Sequence, residues 1–223
     1  MIFFQYIYYF FRSLYYRGFV NTLKLLSYEK KYEKLLGIKT HSIVNLDKLT
    51  LAGENSKQHH HYQGASYFIL FSIFDKLPKE TRNSILIDYG CGKGRAIFVA
   101  EQCGFTNLIG VDIAKELIID ANENKKAYKK KNPYSNIEFL FEDATKYKIP
   151  ENAQIFYFFN PFGEEIMQKV INNIKGSLNL NPRKIYCIYL NPKYKSVFEQ
   201  NGFKVFYIKK NKRYIEGIIY WLT

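Results

Sequence analysis

Cysteine is scarce in this chain, and the three present, Cys91, Cys103 and Cys187, form no CxxC pair and no metal-ligand spacing. A disulfide framework and a thiolate metal site are thereby excluded, and a reduced cytoplasmic compartment is expected. Long hydrophobic runs are missing too. Residues 2–11 are apolar or aromatic apart from Gln5, but Arg12 and Arg17 interrupt the run short of the ~20 residues a bilayer span needs. No small-residue cleavage site follows a basic start, so no secretory signal is expected. Repeats and low-complexity tracts are absent beyond local lysine runs such as 129–131, and 223 residues suit one α/β domain with a short helical extension. Acidic residues are outnumbered, 20 against 33 Lys and Arg, for a formal charge of +13 and a pI near 9.4. That balance favours acidic partners such as nucleic acid or an anionic membrane face. Yet Lys, Asn, Ile, Tyr and Phe abound together while Ala is scarce, a bias that an AT-rich genome produces without selection. A generally solvated basic surface is therefore preferred over a dedicated nucleic-acid footprint.

Residues 1–39 read as helical, with Leu25, Tyr28, Tyr32 and Leu35 spaced to share one face and Gly37 placed to end the helix. Its aromatic and basic character suits a cap packed on the rest of the chain, or a helix at a membrane interface or acidic partner. Residues 40–63 carry polar and glycine punctuation and read as a loop able to fold over a site. The His59-His60-His61 run lies in this loop, where adjacent side chains rarely share an ion, and no metal is expected.

From Ser66 helical and strand-like segments alternate, which implies a parallel sheet covered by helices. Seven strands are predicted, at 85–89, 107–112, 137–142, 154–160, 184–190, 203–209 and 214–222. Ile166, Val170 and Ile174 share a helical face, as do Leu117, Ala121 and Tyr128. Residues 210–213 are too short a link for a crossover, so the last two strands must form an antiparallel hairpin.

The first strand runs directly into Asp88-Tyr89-Gly90-Cys91-Gly92-Lys93-Gly94 and then a helix from Arg95. Strand, glycine turn and helix together make a nucleotide site, because the backbone must turn sharply and approach a ligand. The next strand ends in Asp112, 18 residues beyond Gly94, where a carboxylate can accept hydrogen bonds from ribose hydroxyls. The glycines fall at alternate positions, and Arg95 stands where a dinucleotide fingerprint has its final glycine. Asp88 would moreover repel phosphates while suiting a cationic ligand, so a pyrophosphate-bearing cofactor such as NAD is disfavoured.

These residues resemble the first motif of class I S-adenosylmethionine-dependent methyltransferases. The resemblance spans residues 62–223 in the order of elements, leaving 1–61 as an N-terminal helical extension and linking loop. It implies a seven-stranded Rossmann-like methyltransferase sheet with a C-terminal antiparallel hairpin, and S-adenosyl-L-methionine as cofactor. By the same likeness Asp88, Gly90, Gly92 and Gly94 sit by the methionine portion, Asp112 holds the ribose, Ile113 flanks the adenine and Asp143 meets its amino group. Tyr62, just before the first core helix, falls where relatives close over the cofactor. Asn160-Pro161-Phe162 resembles the Asn-Pro-Pro-Tyr motif of nitrogen methyltransferases, with Phe162 in place of the second proline. The implied acceptor is an amine of a protein lysine, a nucleobase or a small molecule. The alternative is a non-catalytic module of the same fold contacting RNA or a protein. Glu164 and Glu165 need no catalytic role, since the first turn of a helix favours acids.

Overall fold

The structure, a computed structural model, describes residues 2–41, 43–44, 49–52, 62–211 and 214–223, with side chains from residue 10 onward except at 43–44 and 62–63. The histidine run 59–61 lies outside the described residues. Two helices open the chain, α1 (Ile2–Arg17) and α2 (Phe19–Leu36), where the sequence suggested a single helical segment. The break is Gly18, whose φ of 79° and ψ of 169° place it in a region open essentially to glycine. Gly37 ends α2 in the left-handed conformation, its N–H donating to the Glu33 carbonyl. Leu25, Tyr28 and Tyr32 pack on the core as their spacing suggested, but Leu36, 3% exposed, takes the place expected of Leu35, which is 53% exposed. A small antiparallel pair follows, β1 (Ile43–Val44) with β2 (Tyr62–Gln63).

The main sheet and its helices come next in chain order: α3 (Tyr67–Phe74), β3 (Ile85–Tyr89), α4 (Arg95–Gln102), β4 (Asn107–Asp112), α5 (Lys115–Lys129), β5 (Ile137–Phe141), β6 (Ala153–Phe159), α6 (Glu164–Leu180), β7 (Ile185–Leu190), α7 (Lys195–Gln200), β8 (Lys204–Lys210) and β9 (Ile215–Leu222). The strands lie in the order β5-β4-β3-β6-β7-β9-β8. The first five are parallel; β9 runs antiparallel to both β7 and β8 and is inserted between them. Side chains alternate across the strands, as the pleat requires. Leu86, Ile155, Tyr157, Tyr186 and Ile188 join α2 to α5 on one face, whereas Ile87, Phe156, Phe158, Ile185 and Cys187 join α6 and α7 on the other. The outer strand β8 leaves Val205, Phe206 and Ile208 partly in solvent and carries Lys204, Lys209 and Lys210, charges that blunt an open edge.

The topology places the site. Strand β3 has β4 on one side and β6 on the other, so the chain reverses direction of winding there, and a crevice opens at the carboxyl ends of these strands. Among the described residues no helix is long and apolar enough to cross a membrane.

Candidate active site

The glycine loop leaves β3 and turns back at once. Gly90 and Cys91 donate their N–H groups to the Val111 carbonyl, tying the loop to the neighbouring strand β4. All three glycines have positive φ: 78° at Gly90, 53° at Gly92 and 85° at Gly94. Two of them are also forced by packing. A Cβ on Gly90 would lie 2.5 Å from Cβ of Pro161, and one on Gly94 would lie 2.4 Å from the Phe139 ring. The close approach of Gly90 and Pro161 brings the end of β6 against the cofactor loop.

Asp112 closes this region from β4. Its Oδ2 accepts the Gly92 N–H at 2.7 Å and its Oδ1 the Ala114 N–H at 2.9 Å. Each oxygen keeps a second lone pair for a ribose hydroxyl. Burial raises its pKa, and the N–H groups of Ala114, Gly92 and Ile113 pull the other way. Asp88 is 2% exposed, and its Oδ1 has no hydrogen-bond partner. Burial raises its pKa well above the ordinary value, and the neighbouring Asp112 adds to the effect. A buried acid of this kind fits a ligand that brings positive charge and N–H donors, which S-adenosylmethionine does through its amino group and sulfonium.

Ile113 is 7% exposed, and its carbonyl accepts the Ala52 N–H. Leu49 and Leu51 pack there on Ala114 and Leu117, so the near part of the linking loop folds onto this edge. Asp143 sits beyond β5, whose following residue Glu142 donates its N–H to the Asp112 carbonyl. The Asp143 Oδ1 accepts the N–H and hydroxyl of Thr145, so part of its capacity serves a local turn. Tyr62 belongs to β2 by its backbone, and its side chain lies outside the described residues.

At the end of β6 Asn160 has a φ of 43°, a left-handed conformation that Asn tolerates best among non-glycine residues. Its Oδ1 accepts the Tyr189 hydroxyl at 3.1 Å. Burial pushes the Tyr189 pKa up to about 12, so this donor keeps its proton at neutral pH. Phe162 is 3% exposed and belongs to the cluster that holds Ile166 and Met167 of α6. Glu165 pairs with Lys169 one turn along, and both it and Glu164 are exposed.

Three features escaped the sequence reading. Arg95 follows the last glycine with its side chain 6% exposed. Its Nη1 donates to Glu29 at 2.7 Å and to the Ala65 carbonyl, its Nε to Thr40 at 2.8 Å, its Nη2 lies 3.5 Å from Glu33, and its guanidinium stacks 4.4 Å from the Tyr67 ring centroid. The cofactor loop is thereby clamped to α2. Glu29 and Glu33, like charges four apart on a helix, were the available signal, since such a pair is unfavourable without a cation. Asn124 makes a second tie, bonding both N–H and carbonyl of Lys39 and the carbonyl of Lys93. Finally Asn191, at the end of β7, repeats Asn160: it precedes a proline, has a φ of 49°, and follows Leu190, the register partner of Phe159.

A glycine-turn nucleotide site with two buried acids, at the switch point of a seven-stranded sheet ending in an inserted antiparallel strand, defines the class I methyltransferase fold. The comparisons agree: the profile of the methyltransferase domain family matches residues 80–202, more than half of the chain, and the protein belongs to that family. It is an S-adenosylmethionine-dependent methyltransferase. Solved structures with similar folds include the magnesium protoporphyrin IX methyltransferase of Synechocystis PCC 6803 with bound S-adenosylmethionine, at 17% identity and TM-score 0.51 over 70% of this chain and 77% of that one. A putative RNA methyltransferase of Pyrococcus horikoshii matches at 18% and 0.51 over 79% and 93%. A ribosomal protein L11 methylase of Lactobacillus delbrueckii subsp. bulgaricus matches at 16% and 0.52 over 82% and 98%.

Proposed function

We propose that the chain methylates a nitrogen nucleophile presented at the ends of β6 and β7. The observation that carries this reading is Asn160, held in a left-handed conformation beside the Gly90–Pro161 contact and locked by Tyr189. Bound S-adenosylmethionine supplies an electrophilic methyl group on a sulfonium. The residues of the chain do the rest by alignment. The glycine loop and Asp112 hold the nucleoside end, Asp88 faces the positive charge, and Asn160 orients the lone pair of the acceptor. Little acid-base machinery is needed for such a displacement, because exclusion of water and orientation account for most of the barrier lowering. An amine must arrive neutral, which a buried setting favours. Asn160→Ala is expected to cut single-turnover methyl transfer roughly 100-fold, the order that ~1 Å of misplacement costs, with S-adenosylhomocysteine affinity unchanged. Equal turnover in the two proteins would remove Asn160 from catalysis and favour an oxygen or sulfur acceptor held elsewhere.

The outer face of the N-terminal helices supports a further proposal about partners. Phe11, Tyr15, Phe19 and Val20 are 62–64% exposed, and residues 1–28 contain Arg12, Arg17 and Lys24 but no acid. Aromatic side chains with basic neighbours suit the interface of an anionic membrane, where rings sit among headgroups.

A further inference from the structure

A cavity of ≈ 510 Å³ lies between the N-terminal helices and the ends of β6, β7 and β9. Its volume is that of a small-molecule site. Apolar side chains supply much of the wall, among them Leu25, Ile69, Phe159 and Leu190. Phe159 and Leu190 directly precede Asn160 and Asn191, so the cavity reaches the strand ends where the acceptor atom must sit. Helices α1 and α2 contribute walls to it, which leaves room for a small molecule and none for a nucleic-acid duplex.

Among the described residues, the carboxylates of the wall and two of its three arginines are matched. Arg17 pairs with Glu216 at 2.7 Å, and Glu216 also takes the Tyr214 hydroxyl and the Asn211 amide. Arg95 is held by Glu29 and Glu33, while the other oxygen of Glu29 accepts the Tyr67 N–H. Both wall carboxylates, Glu29 and Glu216, are thus engaged by donors within the protein. Arg12 lines the cavity and is exposed at its mouth, 5.9 Å from the Tyr16 ring centroid, with no carboxylate partner among the described residues. A cationic guest would meet occupied carboxylates and an unmatched guanidinium, whereas an anion would meet a free fork of donors.

We propose that this cavity is the acceptor pocket and that the acceptor is a small molecule with an apolar body and one anionic group, carboxylate or phosphate, taken by Arg12. The proposal rests on the methyltransferase reading and adds the acceptor's class to it: the nucleophile lies at the Asn160 end and the anion at the Arg12 end. The test is calorimetric titration of the full chain, saturated with S-adenosylhomocysteine, with decanoate, decyl phosphate, decanol and decylammonium, which share an apolar body and differ in the head. Decanoate or decyl phosphate should bind at least about tenfold more tightly than decanol or decylammonium, and the stronger of the two names the anion. Arg12→Gln should remove that preference while leaving S-adenosylhomocysteine affinity unchanged, and Lys24→Gln, outside the cavity, should preserve it. Equal binding of all four heads, tighter binding of decylammonium, or an unchanged preference in Arg12→Gln overturns the assignment. A protein that binds S-adenosylhomocysteine but no anion loses this inference alone. One that binds neither loses the cofactor reading as well.

Discussion

The two ends of the crevice are built from different materials. At the end formed by β3 and β4, the glycine turn and two buried carboxylates, one of them accepting main-chain N–H groups, lie within 27 residues from Asp88 to Ala114. At the end proposed for the acceptor the cavity walls come from α1, α2, β6, β7 and β9, and the charges include side-chain ion pairs such as Arg17–Glu216, 199 residues apart. The first arrangement is set by local backbone geometry, which suits a ligand common to a whole family. The second leaves specificity to side chains on elements that meet only in the folded chain. Arg95 joins the ends, being the first residue of α4 beyond the glycine loop and the anchor of α2.

Breaking that joint should have the largest effect. Arg95→Ala leaves Glu29 and Glu33 without their cation and removes the stacking on Tyr67, and stability should fall by about 3 kcal/mol, measured as a shift in urea midpoint at constant slope. A drop below about 1 kcal/mol would mean that α2 and the glycine loop are independent. Next comes Asp112→Ala, which loses the bonds to Gly92 and Ala114 together with those expected to the ribose. Calorimetry should show S-adenosylhomocysteine affinity weakened by about 2–3 kcal/mol; unchanged affinity in a folded protein would reject Asp112 as the ribose ligand.

Asp88→Asn sharpens the contrast through pH. Burial raises the Asp88 pKa in the fold, so its contribution to stability is full below about pH 4 and is lost as pH rises through the raised value. The variant lacks that loss and should resist urea better than the wild type, by a margin that grows as pH is taken from near 4 to 8. Cofactor affinity should fall about tenfold at the same time, since the charged acceptor is gone. A margin independent of pH would show that the Asp88 carboxyl titrates alike in the folded and unfolded chain, against the raised value in the fold. The smallest effect is expected at the outer face: Phe11→Ser with Phe19→Ser should lower flotation with anionic vesicles about fivefold while sparing cofactor binding. If wild type does not float, the exposed rings serve another partner.

Much of the cofactor end was legible beforehand because it is local. A strand, three alternate glycines and an acid ending the next strand specify a turn whose conformation only glycine reaches, and short-range patterning carries that information. The strand positions followed from the alternation of strand-like and helical segments, and the short link at 210–213 forced an antiparallel hairpin. The burial of Phe162 was not legible for the opposite reason: it depends on how α6 docks, which no neighbouring residue encodes. Leu35 and Leu36 exchanged roles because a shift of one position turns a helical side chain by about 100°, and the packing partner decides which faces inward.

By itself, then, the sequence determined the order of the strands along the chain, the glycine turn, the acid at its strand end and the excess of basic charge, each written in residues close to one another. Tertiary structure alone decided that β9 enters between β7 and β8, that α2 closes on Arg95, and that Arg12, Phe159 and Glu216 border one cavity. Those outcomes depend on contacts between residues tens to hundreds of positions apart, whose free energy exists only once the sheet has assembled and brought them within reach.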